Sequence, residues 1–271
     1  FLGIRYLTMV SSIVEEIKKE NPTFDITKIN YQDPKVYELF AKGKTEGIFQ
    51  FESSGMKEKL NLLKPTEFND IVAMNALYRP GPMAQIEVYV RRKNKEEQVV
   101  YPHPHLEKIL KDTYGVIVYQ EQIMLIAVNF AHMSLNEADN MRRAVSKKKK
   151  EDLEYYGRIF IEKSVAAGYD IKVAEKLFDL IVTFANYGFN KSHAVVYSML
   201  AYRLAYLKVY YTKYFMTALL NNVISSEKKI NEYKQELMNL GINLVKPDVN
   251  RSLANFRVFK NDIVFALTAI K

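Results

Sequence analysis

Apolar residues recur at helical spacing along most of this chain. From Leu7 to Lys19 they repeat every three or four positions, with Glu15, Glu16, Lys18 and Lys19 at the wet end, and Asn21-Pro22 stops the pattern. Asp33-Pro34 is an N-cap followed by proline at the first helical position, which predicts a short helix from Val36 to Lys42 that ends at Gly43. Gly47 to Phe51 reads as a short extended piece. Gly55 to Lys64 and Glu67 to Tyr78 read as helices joined at Pro65, and the two prolines of Arg79-Pro80-Gly81-Pro82 force a loop.

Further along, Tyr101-Pro102-His103-Pro104 is a loop before a short helix from Leu106 to Lys111, and the apolar run Val116 to Tyr119 precedes a helix from Glu121 to Phe130. Ser134 and Glu137 form a capping box that starts a helix through Ala144. A helix from Glu151 to Ala167 stops at Gly168, and Asp170 caps the next, Ile171 to Asn186. Ser192 to Val223 reads as a long Tyr-rich helix or a kinked pair, and Ser226 to Leu240 as the last helix before Gly241. The pattern then changes to strands at Ile242 to Val245, Phe256 to Phe259 and Ile263 to Leu267. The expected fold is mainly α with α+β character: a multi-helix body and a small strand-rich C-terminal tail.

Composition sharpens this picture. The chain has 271 residues, 48% of them hydrophobic, enough for a full core. It has no Cys, which excludes disulfides and thiolate metal sites. It shows neither a signal peptide nor an apolar run of the ~20 residues that cross a bilayer, so no membrane partner and a cytoplasmic location are expected. The net charge of +8, with 19 Tyr and 15 Phe, suits a surface that neutralises phosphate and stacks bases, although most rings belong to a core. Phe1 is not an initiator Met and Lys271 ends a strand-like run, so the chain reads as part of something longer.

Two stretches carry candidate chemistry. Arg142 to Lys150 holds six cations and no acid in nine residues. A continuous helix would set Arg143, Lys147 and Lys150 on one face, whereas a break at Ser146 would leave the lysines on a loop. Lysine runs are usually solvated faces, but the paired arginines present planar forks that match phosphate oxygens. In Gly188-Phe189-Asn190-Lys191-Ser192-His193, Gly188 is expected to close one helix in a left-handed conformation and Asn190 or Ser192 to open the next. Cations there oppose the helix dipole, which suggests that a bound anion supplies the missing charge; the plain alternative is a tight helix corner with a solvated Lys191. Arg79 stands in a stiff loop that is otherwise a connector. Tyr119, Gln120, Glu121 and Gln122 put polar groups after a buried-looking run, as ordinary cores also do.

Other motifs fail. Gly43-Lys44-Thr45 looks like the end of a P-loop, but Glu38 stands where the first glycine belongs. His103 and His105 lack further ligands for a metal site. No Ser-His-Asp arrangement can be assigned.

The ordered motifs resemble the alpha subunits of bacterial DNA polymerase III, the C-family replicative polymerases. They include Phe1-Leu2-Gly3, Gly47 to Ser53 with Gly55-Met56, Leu77 to Met83, His103-Pro104, Thr113-Tyr114-Gly115 and Val118 to Gln122. Glu137-Ala138-Asp139, Arg142-Arg143-Ala144, Lys147-Lys148-Lys149, Tyr187 to Ala194, Ala205 to Lys208 and Pro247 to Asn250 complete the set. The form is similar to the common alpha type rather than the longer exonuclease-containing one. Two positions depart from the pattern: Ser146 replaces a usual Gly, and Thr212 stands where Pro is common, so the helix there could run on uninterrupted.

The resemblance implies residues 1–20 at the end of the palm, helical fingers over 21–240, and the strand-rich start of a following subdomain over 241–271. It implies template-directed nucleotidyl transfer in chromosomal replication by the whole protein. Two Mg²⁺ ions would be held by three aspartates upstream, the last just before Phe1, so that no residue of this chain is itself catalytic or a metal ligand and the segment alone would not extend a primer. Arg142, Arg143, Lys147, Lys191, Ser192 and His193 are the implied triphosphate contacts. Arg79, Lys148, Lys149, Lys150, Tyr187 and Asn190 would touch DNA or support the pocket. Implied partners are primer-template DNA, dNTPs and other replicase subunits, including the sliding clamp through regions beyond this chain. The competing readings are a non-catalytic basic helical scaffold for nucleic acid and a helical protein–protein adaptor built on the Ser192 to Val223 helix.

Overall fold

The computed structural model describes residues 5–147, 150–185 and 187–270. Phe1 to Gly3, Lys148, Lys149 and Asn186 lie outside the described residues, and of Lys150 only the backbone is described. The chain divides into two compact units, one formed by residues 1–67 and 199–271, the other by residues 68–198.

In the first unit, α1 (Arg5–Glu20) buries Met9, Val10, Ile13 and Ile17, the stripe expected of an amphipathic helix. Asp33 caps α2 (Pro34–Ala41) by accepting from the Lys35 and Val36 amides. Ser53 caps α3 (Ser54–Leu63). The expected extended piece between them is instead a series of tight turns. The Ile48 amide donates to the Thr45 carbonyl, the Phe51 amide to the Ile48 carbonyl, and Gln50 takes a φ of 69°. Ile48 and Phe51, three apart, both point inward, which an alternating strand could not achieve.

The second unit begins with α4 (Phe68–Leu77), almost wholly buried, and α5 (Gln85–Lys93), a helix the pattern did not announce. The short α6 (Glu107–Leu110) lies between two 3₁₀ turns and leads to α7 (Gln120–Phe130). Then come α8 (Leu135–Lys147), α9 (Lys150–Ala166) and α10 (Ile171–Ala185). Their core gathers Leu110, Ile126, Phe130, Met141, Phe160 and Ile181. The capping box at Ser134 forms as expected, with Ser134 and Glu137 each accepting the other's amide. α8 continues past Ala144 because Ser146 does not break it: its hydroxyl donates to the Arg142 carbonyl one turn back.

α11 (Lys191–Tyr210) starts in the second unit, and the division between units falls inside it, after Ser198. It ends at Tyr211, whose φ of −132° interrupts the helix before α12 (Thr212–Asn222). The uninterrupted helix expected from Thr212 is therefore not formed: the Thr212 hydroxyl donates to the Lys208 carbonyl and caps the break that a proline would otherwise make. α13 (Glu227–Asn239) follows from Ser226. The first unit closes with strands β1 (Leu244–Val245), β2 (Arg257–Phe259) and β3 (Asp262–Val264), in sheet order β1-β3-β2. β1 runs parallel to β3 with Leu244 opposite Ile263, and β2 runs antiparallel with Val258 opposite Ile263. The third strand is shorter than its apolar run, because Leu267–Ala269 turns into 3₁₀. No helix among the described residues is long and apolar enough to cross a membrane.

Candidate functional site

The two candidate stretches are linked in the second unit through the start of α7. Tyr119 and Phe189 form an isolated parallel bridge, in which the Phe189 amide donates to the Val118 carbonyl and the Gln120 amide to the Phe189 carbonyl. Each segment opens a helix just beyond the bridge, α7 at Gln120 and α11 at Lys191, so two helix N-termini and their partial positive charges lie side by side. Gly188 is needed for this approach, but not in the left-handed conformation expected of it. A Cβ there would meet Gln120 Cγ at 3.2 Å and Gln120 N at 3.4 Å. The residue is small because two backbones meet, and the helix before it ends with the Tyr187 and Gly188 amides both on the Phe184 carbonyl.

Asn190, not Ser192, opens α11: its side-chain oxygen accepts from the His193 amide at 2.8 Å. The charge expected from a bound anion is supplied within the chain. Both carboxylate oxygens of Glu121 lie 3.0 Å from the Lys191 amide. The Lys191 ammonium sits 5.3 Å from the centre of the Tyr119 ring. Burial, with Glu121 adding, pushes the Tyr119 phenol well above its usual range. His193 is exposed, stacks on Tyr197 at 4.3 Å and meets Phe189 edge-on, while Ser192 is exposed beside it.

The arginine pair on α8 is organised by Asp139. Arg142 donates twice to Asp139 Oδ1, at 3.0 and 2.7 Å, and once to Gln120 Oε1 at 3.2 Å. Arg143 meets the other oxygen, Oδ2, at 2.8 Å. The bonds from Arg142, reinforced by Arg143, hold the Asp139 carboxyl below its ordinary range. The arginine side chains differ in access, 19% exposed for Arg142 and 64% for Arg143. Lys147, exposed, lies one turn beyond Arg143 on α8.

Arg79 closes the other side. Its Nε donates to the Ala76 carbonyl and its Nη2 to the Tyr187 carbonyl, both at 2.9 Å, and its guanidinium lies 4.1 Å from the Phe189 ring centre. Burial lowers its pKa from the usual value. Tyr187, 40% exposed, covers Gly81 in the same loop. Arg79, Tyr187, Asn190, Lys191 and Arg142 are thus joined through Phe189, Gln120 and Glu121. Asp139, Gln120 and Glu121 are the members that sequence reasoning did not assign. Asp139 was detectable, since it precedes Arg142 and Arg143 by three and four positions on one helix. Lys148 and Lys149 lie outside the described residues.

Among the described residues no group of three or more His, Asp or Glu has the arrangement to hold a metal ion. The described residues therefore do not fit a Mg²⁺ site. What the arrangement offers is a group of arginine and lysine side chains held beside two helix starts, with Asp139 and Glu121 supplying the acidic partners.

The second unit is an all-helical domain in which two helix starts and several arginine and lysine side chains meet. Comparison with known proteins narrows the class. The family model for the bacterial DNA polymerase III alpha subunit finger domain matches residues 6–168. The whole chain is 52% identical to DNA polymerase III subunit alpha of Bacillus subtilis (strain 168), covering 100% of this chain and 24% of that relative. It is 46% identical to DNA polymerase III subunit alpha of Staphylococcus aureus (strain COL), covering 100% of this chain and 26% of that relative. The chain belongs to the bacterial DNA polymerase III alpha subunit family, as the ordered motifs implied. It spans about a quarter of the length of these relatives.

Proposed function

We propose that this chain is the part of a template-directed DNA polymerase that receives the triphosphate of the incoming dNTP and contacts primer-template DNA. Arg143, Lys147 and Lys191 meet phosphate oxygens, Arg142 and Arg79 brace them, and Ser192, His193, Tyr187 and Asn190 line the neighbouring surface. Nucleotidyl transfer itself, with Mg²⁺ on aspartates outside this chain, belongs to the whole replicative enzyme acting in the bacterial cytoplasm. Contacts with the sliding clamp and other replicase subunits likewise belong to its other regions.

The observation that carries this reading is the Tyr119–Phe189 bridge. It sets two helix starts together and ties Arg142 to one and Lys191 to the other through adjacent residues of α7. A scaffold that only bound polyanions would need scattered lysines, not two backbones brought together at Gly188. The test is single-nucleotide incorporation by the full-length polymerase carrying Arg143→Ala, Lys191→Ala or the Arg142→Ala/Arg143→Ala pair. Loss of one charge-assisted phosphate contact should raise the KM for dNTP by about tenfold or more. Unchanged KM and kcat in all three variants would remove the phosphate role.

A further inference from the structure

Three consecutive residues at the start of α7 each hold a different piece of the surface just described. Tyr119 places its ring 5.3 Å from the Lys191 ammonium. Gln120 accepts from Arg142 at 3.2 Å. Glu121 brings both carboxylate oxygens to 3.0 Å from the Lys191 amide. Lys191 is the first residue of α11, and its amide is one of the donors that a helix leaves unpaired at its N-terminus. Glu121 is itself in the first turn of α7, so one carboxylate faces the positive ends of two helices. The His193 amide, two residues on and another of these first-turn donors, is taken by the Asn190 side chain. A phosphate approaching the Lys191 amide would meet a carboxylate already seated there, and two anions on one donor repel.

We propose that Glu121 is a positioning residue. It closes the N-terminus of α11 with an internal anion, so that a triphosphate meets the Lys191 side chain and not the helix amide, and it keeps that side chain in register with Arg142, which the adjacent Gln120 holds. This rests on the reading of the surface as a triphosphate site. It adds that the paired helix starts do not bind the nucleotide directly; they are neutralised from within and serve as a rigid mount for the cations.

The test uses the full-length polymerase with Glu121→Ala, Glu121→Gln and, in parallel, Lys191→Ala. KM and kcat are measured for each of the four dNTPs, together with primer-template affinity and melting temperature. Glu121→Ala should raise KM about tenfold for all four nucleotides, with kcat changed by no more than about twofold and DNA affinity unchanged. Glu121→Gln keeps an acceptor oxygen on the same stem and should restore most of the KM. The proposal is overturned if KM is unchanged in Glu121→Ala. It is equally overturned if KM falls, since the carboxylate would then be a competitor for a nucleotide that does bind the amide. A joint loss of KM, kcat and melting temperature that glutamine fails to rescue would reduce Glu121 to a structural role and also overturn it. If Lys191→Ala leaves KM untouched, the triphosphate reading itself fails. If Lys191→Ala raises KM and Glu121→Ala does not, only the positioning role fails.

Discussion

Gly81 is the position where a single methyl group should do most damage near the site. Its φ of 105° and ψ of −71° lie where side chains are rarely accommodated, and a Cβ there would fall 2.2 Å from Cε1 and 2.4 Å from Cδ1 of Tyr187. Two costs follow for Gly81→Ala. The backbone strain is about 1–3 kcal/mol and cannot be relieved without moving the loop. The Tyr187 ring must also leave, which its 40% exposure permits. Its departure disturbs the carbonyl that accepts from Arg79, a charge-assisted bond worth about 1.5–3 kcal/mol if lost outright. A net loss of roughly 2–4 kcal/mol is expected, since part of each cost is relaxed. Urea unfolding of the wild type, Gly81→Ala, Tyr187→Ala and the double variant measures it. In the Tyr187→Ala background the clash is gone, so the cost of the methyl group should fall to the strain alone, about 1–3 kcal/mol. A loss below about 0.5 kcal/mol in Gly81→Ala would refute the argument, because neither strain nor clash would then be present.

Two further outcomes test the packing around the site and in the other unit. Lys208 is 2% exposed and holds the Lys44 and Glu46 carbonyls at 3.0 and 3.1 Å and Glu236 at 2.8 Å. Lys208→Met should cost about 3–5 kcal/mol in urea unfolding, and a loss under about 1 kcal/mol would show that the clamp is not needed. Glu137 is held down to about 2 from an ordinary 4.5, first by Lys163 and then by the Ser134 amide and hydroxyl. A depressed carboxylate stabilises the fold above its ordinary pKa and ceases to as pH falls through the folded value. The stability gap between wild type and Glu137→Gln should therefore be constant above about pH 5 and close between about pH 4.5 and 2; a gap independent of pH would exclude the ion pair.

Local chemistry made much of this fold legible. Asp33, Ser134, Asp170 and Ser226 accept the amides of the helices they precede, because a cap depends only on residues two or three positions away. The turns at Thr45 to Phe51 were misread as extended, since burial at a spacing of three and a positive φ at Gln50 leave little trace in a five-residue apolar run. At the candidate site the cationic stretches were evident, but their partners were not. Glu121 and Lys191 are 70 positions apart, so nothing local shows that a carboxylate fills the place assigned to a bound anion. The same holds for Gly188: a glycine required by the backbone of a distant segment looks like one required by its own dihedral angle.

The sharing of Asp139 between two arginines changes how the surface would respond to salt. One carboxylate, one oxygen to each guanidinium, leaves the pair with a single net positive charge where the amino-acid count suggests two. Fewer counterions then gather there, and fewer are set free when a polyanion docks. Attraction at this point should come from shape and directed hydrogen bonds more than from a diffuse cationic cloud. Its grip would fade more slowly with ionic strength than that of a basic patch with no acidic neighbour.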